Sequence, residues 1–163
     1  KLNLVKVGTC KHHLVLDADT IFVKDVSFEY KGKLYFDFSD EYHSPYYVAY
    51  EKLTGYKHAM PVSFVSHYML FNKGMLENLK QHIYKQTGKS AEQAIIDLKS
   101  SVVDPSNFSE YETYANYCIK NAPKQYRLRY WFNKSCQLKD LDNLQQIINE
   151  GPWRSVSFHA YNH

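Results

Sequence analysis

Hydrophobic positions recur with two different periods, and the period changes partway along the chain. Near the start, Leu14, Val15 and Leu16 form an apolar run too short for a helix, which predicts a buried strand over residues 13–17. A second extended piece is expected over residues 20–24. "SFEYKGKLYFDFS" alternates on either side of Lys31-Gly32-Lys33 and predicts a hairpin turning at Gly32. Pro45 and Gly55 bracket a short helix, and "PVSFVSHYMLFNKG" reads as a β-rich run between Pro61 and Gly74. Helical spacing then takes over. Leu76, Leu79 and Ile83 share one face over 75–86, and Ala94, Ile95, Leu98 and Val102 form a stripe over 90–102. Ser90 with Gln93, and Ser109 with Glu112, have the spacing of capping boxes that start two helices. A further helix is expected over 139–150 with Leu141, Leu144 and Ile148 inward, then a last strand, "RSVSF", over 154–158. There are no repeats or low-complexity segments, so the reading is one mixed α/β domain.

Composition changes this picture in one respect. Fifteen Tyr and nine Phe among 163 residues make the chain rich in aromatics. Such rings line polar clefts, or build a core that uses Tyr where others use Leu. The formal net charge is +3 with scattered basic residues, which gives no footprint for nucleic acid. No segment is apolar for long enough to span a bilayer. Cys10, Cys118 and Cys136 have no metal-type spacing and no even pairing, so a reducing, cytoplasmic setting is expected.

The chemistry concentrates where the first strand ends. Asp17 and Asp19 are two residues apart, so an extended backbone points both carboxylates to one side. Ligands bind at the carboxyl ends of strands in open α/β sheets. Adjacent like charges repel, and a divalent cation with hard oxygen ligands relieves that repulsion. A simple turn after a strand also uses Asp. Later, "SFHAYNH" places His159 directly after an apolar strand and His163 four residues on, and imidazole suits a mixed nitrogen and oxygen shell. His67 interrupts an apolar run, as a core histidine or as a site residue. Trp131 in "RYWFN" suits stacking on a sugar face or core packing. Glu112 suits helix capping or a substrate contact, whereas Glu110 in the first turn has no capping duty, and the helix dipole favours its ionised form.

Five segments in the same order, "LVLDADTIFVKDV", "HSPYYVAYEKLTG", "SFVSHYMLFNKGML", "FSEYETYANYC" and "SVSFHAY", resemble a bacterial and viral family of GT-A-type glycosyltransferases, the DUF6492 group. The resemblance implies a GT-A-like, Rossmann-related mixed sheet flanked by helices. It implies that Asp17 and Asp19 hold Mn²⁺ or Mg²⁺ against the diphosphate of a nucleotide-sugar donor, a UDP-sugar foremost, with His159 completing the shell. The sugar would pass to a glycan or another hydroxyl acceptor. Glu110 would be the base of an inverting reaction, and His67, Glu112 and Trp131 would contact substrate. A GT-A enzyme places a nucleotide-binding half before its D-x-D strand, and only Lys1 to Lys11 precede it here. The expectation is an excerpt of a longer protein or a reduced relative lacking much of that half.

Two other classes compete. A haloacid-dehalogenase-like phosphatase would use Asp17 as nucleophile, although Ile21 stands where that motif wants Thr or Val, and no Gly-Asp-x-x-x-Asp pattern follows. A non-catalytic carbohydrate-binding or degenerate transferase module would account for the aromatic content.

Overall fold

In the computed structural model of the chain, which describes residues 1–100 and 106–159, the N-terminal strands follow the patterning closely. β1 (His12–Leu16) and β2 (Thr20–Phe22) flank the D-x-D turn, and β3 (Glu29–Tyr30) and β4 (Lys33–Phe38) form the hairpin. Its two turn residues, Lys31 at φ 51° and Gly32 at φ 71°, are both left-handed, and this turn twists in the same sense as the strands it joins. α1 (Ser44–Thr54) has Pro45 in its first turn and stops at Gly55, whose φ of 70° closes the helix. β5 (Tyr68–Asn72) runs straight into α2 (Lys73–Thr87), where Met75 N–H donates to the Asn72 side chain. α3 (Ala91–Ser100), α4 (Glu110–Asn121), β6 (Tyr126–Tyr130), β7 (Asn133–Cys136), α5 (Leu144–Asn149) and β8 (Ser155–Phe158) complete the order.

The class is mixed α/β, and the strands are divided among three small sheets. β1 pairs antiparallel with β5, from His12 opposite Asn72 to Leu16 opposite Tyr68. β8 sits between antiparallel β2 and parallel β7, and β4 between antiparallel β3 and parallel β6. The split follows from the D-x-D turn. It ends the pairing of β1 with β5 and hands the chain to β8, so one turn ties two sheets together. Among the described residues, no helix is long and apolar enough to cross a membrane.

The core lies where α1, α2 and α4 meet β4 and β5. Leu76, Leu79 and Ile83 are fully buried, as their spacing requires, and each contributes roughly 2 kcal/mol of burial. Tyrosine does much of the remaining filling. Tyr50 and Tyr114 are fully buried, and Phe36 stacks on Tyr126 with centroids 4.2 Å apart. Tyr114 keeps its hydroxyl satisfied by accepting Asn72 N–H at 2.8 Å. The same residue type also lines clefts, at Tyr42, Tyr46 and Tyr130.

Four expectations are corrected. β1 is not buried. It belongs to a two-stranded sheet, so Val15 packs inward while Leu14 and Leu16 stay exposed. The helix expected over 139–150 is a 3₁₀ segment, Leu138–Asn143, followed by the short α5, and neither buries a residue. Three residues per turn cannot hold a 3.6-residue stripe in line, and Leu141 is left exposed. β6 and β7 arise where no strand was anticipated. Both capping boxes are half-formed. Gln93 N–H donates to Ser90 Oγ at 3.2 Å, but the Gln93 amide turns to Asp97. Glu112 N–H donates to Ser109 Oγ at 3.2 Å, but its carboxylate accepts Phe64 N–H at 2.6 Å. Val102 lies outside the described residues.

Candidate functional site

Three backbone hydrogen bonds fix the D-x-D turn. Thr20 N–H donates to Asp17 O (3.1 Å), Asp17 N–H to His67 O (2.8 Å), and Phe158 N–H to Asp19 O (2.9 Å). The second and third bring two distant histidines alongside. His67 Nδ1 lies 3.7 Å from Asp17 Oδ2, and His159 Nδ1 lies 3.2 Å from Asp19 Oδ2. The two imidazole rings are tilted against each other with centroids 4.8 Å apart. On its other edge, His67 Nε2 is 2.9 Å from Glu41 Oε1. Asp17, Asp19, Glu41, His67 and His159 all line one cleft of about 820 Å³.

Asp17 is held as an anion. Burial alone would push its carboxyl up, but hydrogen bonding with His67, Tyr111 and Lys1 outweighs this and brings it down to about 2. Tyr111 O–H and Lys1 Nζ both donate to Oδ1, at 2.6 Å and 2.9 Å. Burial and the adjacent Asp17 charge push the Tyr111 hydroxyl up, so it stays a donor. His67 is the complementary cation. Burial would lower it, yet Asp17 and Glu41 on its two edges raise it to about 9. Its backbone is left-handed at φ 63°, which a side chain with a Cβ adopts only at a cost. Such strain clusters at functional sites, because the surrounding structure must hold it.

No protein-family model, no curated protein and no solved structure matches this chain.

The structure gathers Asp17, Asp19, His67 and His159, and it adds three residues the sequence did not single out: Glu41, Lys1 and Tyr111. Glu41 lies in the loop after β4, in no local motif, and reaches the cleft because Ser39 bridges to Ser63 just before it. Glu110 is half-buried on the first turn of α4 and is not among the residues lining the cleft. Glu112 is fully buried behind Phe64, out of reach of any substrate. Trp131 is 1% exposed, with its indole N–H donating to Ser155 Oγ at 2.8 Å, so its ring packs in the interior and offers no open face. His163 lies outside the described residues.

The cluster offers carboxylate oxygens and imidazole nitrogens, both of them groups that ligate divalent cations. Among the described residues, no three His, Cys, Asp or Glu side chains are gathered as a metal-holding group. Asp17 spends its oxygens on Lys1, Tyr111 and His67, while Asp19 and His159 are already paired.

Proposed function

We propose that this chain carries the metal-binding and acceptor side of a GT-A-type glycosyltransferase, moving a sugar from a nucleotide-sugar donor to a hydroxyl acceptor. The observation that carries this reading is the 3.2 Å approach of His159, at the end of β8, to Asp19 of the D-x-D turn, 140 residues away. The resemblance to the DUF6492 group asks for that pairing. A phosphatase using Asp17 as nucleophile leaves it without a role.

Asp17, Asp19 and His159 would hold Mn²⁺ or Mg²⁺, with the Lys1 ammonium giving way at Asp17. Bound there, the ion supplies Lewis-acid neutralisation of the charge on the departing nucleoside diphosphate. The chain's own residues do the positioning. Tyr111 orients Asp17 and keeps it ionised. Protonated His67 lies between Asp17 and Glu41 and offsets the repulsion of their carboxylates. In an inverting transfer, Glu41 accepts the proton of the attacking hydroxyl, a role for which it is better placed than Glu110, because it lines the cleft. In a retaining transfer, Glu41 orients that hydroxyl instead.

Thermal-shift titration with Mn²⁺, alone and then with UDP, GDP and CMP, tests the reading. Stabilisation by one nucleotide that requires Mn²⁺ and disappears in Asp19→Ala is expected. Absence of any Mn²⁺-dependent shift would overturn the metal assignment. A shift with Mn²⁺ and none with any nucleotide would place donor binding outside this chain.

A further inference from the structure

Glu41 also lines a second cleft, of about 520 Å³, within the usual range for small-molecule sites. Its walls are aromatic. Tyr130 and Phe132 are 38% and 39% exposed and pack edge-to-face with centroids 4.8 Å apart. Trp153 forms another wall, its indole laid across Gly151. A Cβ at Gly151 would meet Trp153 Cε2 and Nε1 at 2.4 Å, so this ring position depends on glycine.

A polar group is fixed among these rings. Trp131 Nε1–H can only donate, and it donates to Ser155 Oγ at 2.8 Å. The Ser155 proton is thereby directed to Asn133 Oδ1 at 2.7 Å, which also lies 3.1 Å from Ser157 Oγ. Ser155, Ser157 and Trp131 are essentially fully buried. This relay occupies Asn133 Oδ1 and leaves the NH₂ as the donor of a residue that lines the cleft, together with Asp40 and Glu41 as acceptors. Ring faces beside a pre-oriented donor and carboxylate acceptors match a pyranose, whose apolar face stacks and whose hydroxyls both donate and accept. Lys134 lines the same cleft with its ammonium 5.4 Å from the Trp153 ring centroid, so the walls carry both signs of charge and favour a ligand that hydrogen-bonds over one that is strongly charged.

We propose that this second cleft binds a neutral saccharide, which under the transfer proposed above is the acceptor. The binding claim stands by itself, and only the acceptor role rests on that reading. Glu41 lines both clefts, so a sugar bound in the second would lie beside the carboxylate that would take its proton.

The test uses the full chain in EDTA with maltotriose, cellotriose and chitotriose, followed by saturation-transfer NMR and by the indole N–H resonance of Trp153. At least one trisaccharide is expected to bind and to move that resonance. Trp153→Ala should weaken binding about tenfold, the loss of one stacking ring, and Trp153→Phe should recover most of it. Gly151→Ala should weaken binding by displacing the indole while leaving every polar group in place. Failure of all three sugars, an unchanged Kd in Trp153→Ala, or movement of the Trp153 resonance by UDP in place of sugar would overturn the proposal. Sugar binding with no response to Mn²⁺ would uphold this cleft and remove the transferase reading. Mn²⁺-dependent nucleotide binding without sugar binding would do the reverse.

Discussion

Replacing Glu112 by Gln separates the fold from the site, because Glu112 is buried at the centre of the α4 packing and contacts neither cleft. Burial raises its carboxyl to about 7, against the partial relief of the Phe64 N–H, Tyr47 and Asn116. That relief is incomplete. The Tyr47 hydroxyl donates to Val62 O, the Asn116 amide donates to Glu112 O, and Glu112 Oε1 is left with no hydrogen-bond partner. An acid whose folded pKa lies above its unfolded value keeps its proton longer when folded. Its contribution is therefore most favourable below the ordinary pKa of 4.5 and is lost as pH rises through 7. At about 1.4 kcal/mol per pKa unit, the loss across that window is about 3 kcal/mol. Glu112→Gln keeps an acceptor for Phe64 N–H and cannot ionise, at a cost of roughly 1–3 kcal/mol for its unpaired amide protons. Urea unfolding of both proteins at half-unit steps from pH 4.5 to pH 8 reads the difference and cancels every other titrating group. The variant should be the less stable at the acid end and gain on the parent by about 3 kcal/mol by pH 8. A difference that stays flat with pH would refute the reasoning.

Two further outcomes follow from named contacts. Asp37, 4% exposed, takes a bidentate grip from Arg129 (2.5 and 2.8 Å) and a hydrogen bond from Tyr68 O–H, tying β4 to β6 and β5. Asp37→Asn leaves a half-buried guanidinium without its counter-charge and should cost about 3 kcal/mol in urea unfolding. A loss under ~1 kcal/mol would mean that water replaces the pair. Lys1→Met frees Asp17 Oδ1 of its ammonium and should tighten Mn²⁺ binding roughly two- to fivefold by calorimetry, in line with a partly exposed ion pair. Weaker binding would show that Lys1 supports the site instead of competing for it.

Much of this fold is legible in the sequence, wherever the signal is local. Lys31-Gly32 can turn a hairpin because Gly32 takes positive φ freely, while Lys31 takes it at a small cost. Pro45 and Gly55 bound α1 by starting and stopping chemistry, and Leu76, Leu79 and Ile83 declare α2 by spacing alone. The approach of His159 to Asp19 is one that the family resemblance implies, and the strand-end position of His159 agrees with it. What escapes is non-local. β6 hides because Arg129 sits in it, and the buried Asp37 that makes an arginine acceptable there is 92 residues away. Glu112 has the spacing of a cap, and only the approach of Phe64 reveals that its carboxylate serves another segment. Glu41 and Asn133 carry no motif. Glu41 matters because His67 reaches it, and Asn133 because a buried relay through Ser155 fixes its amide. The left-handed backbone of His67 leaves no trace in residue type, since Gly or Asn would have been the conformational choice.

The metal centre is the claim on which the functional account turns, and Mn²⁺ itself can report on it. Titrating Mn²⁺ while following the free-ion EPR signal measures binding without any substrate, and pulsed EPR detects nitrogen modulation from a coordinated imidazole. The account predicts saturable loss of the free-ion signal, nitrogen modulation that disappears in His159→Gln, and loss of binding in Asp19→Ala. A free-ion signal untouched by the protein, or nitrogen modulation that survives His159→Gln, would contradict it.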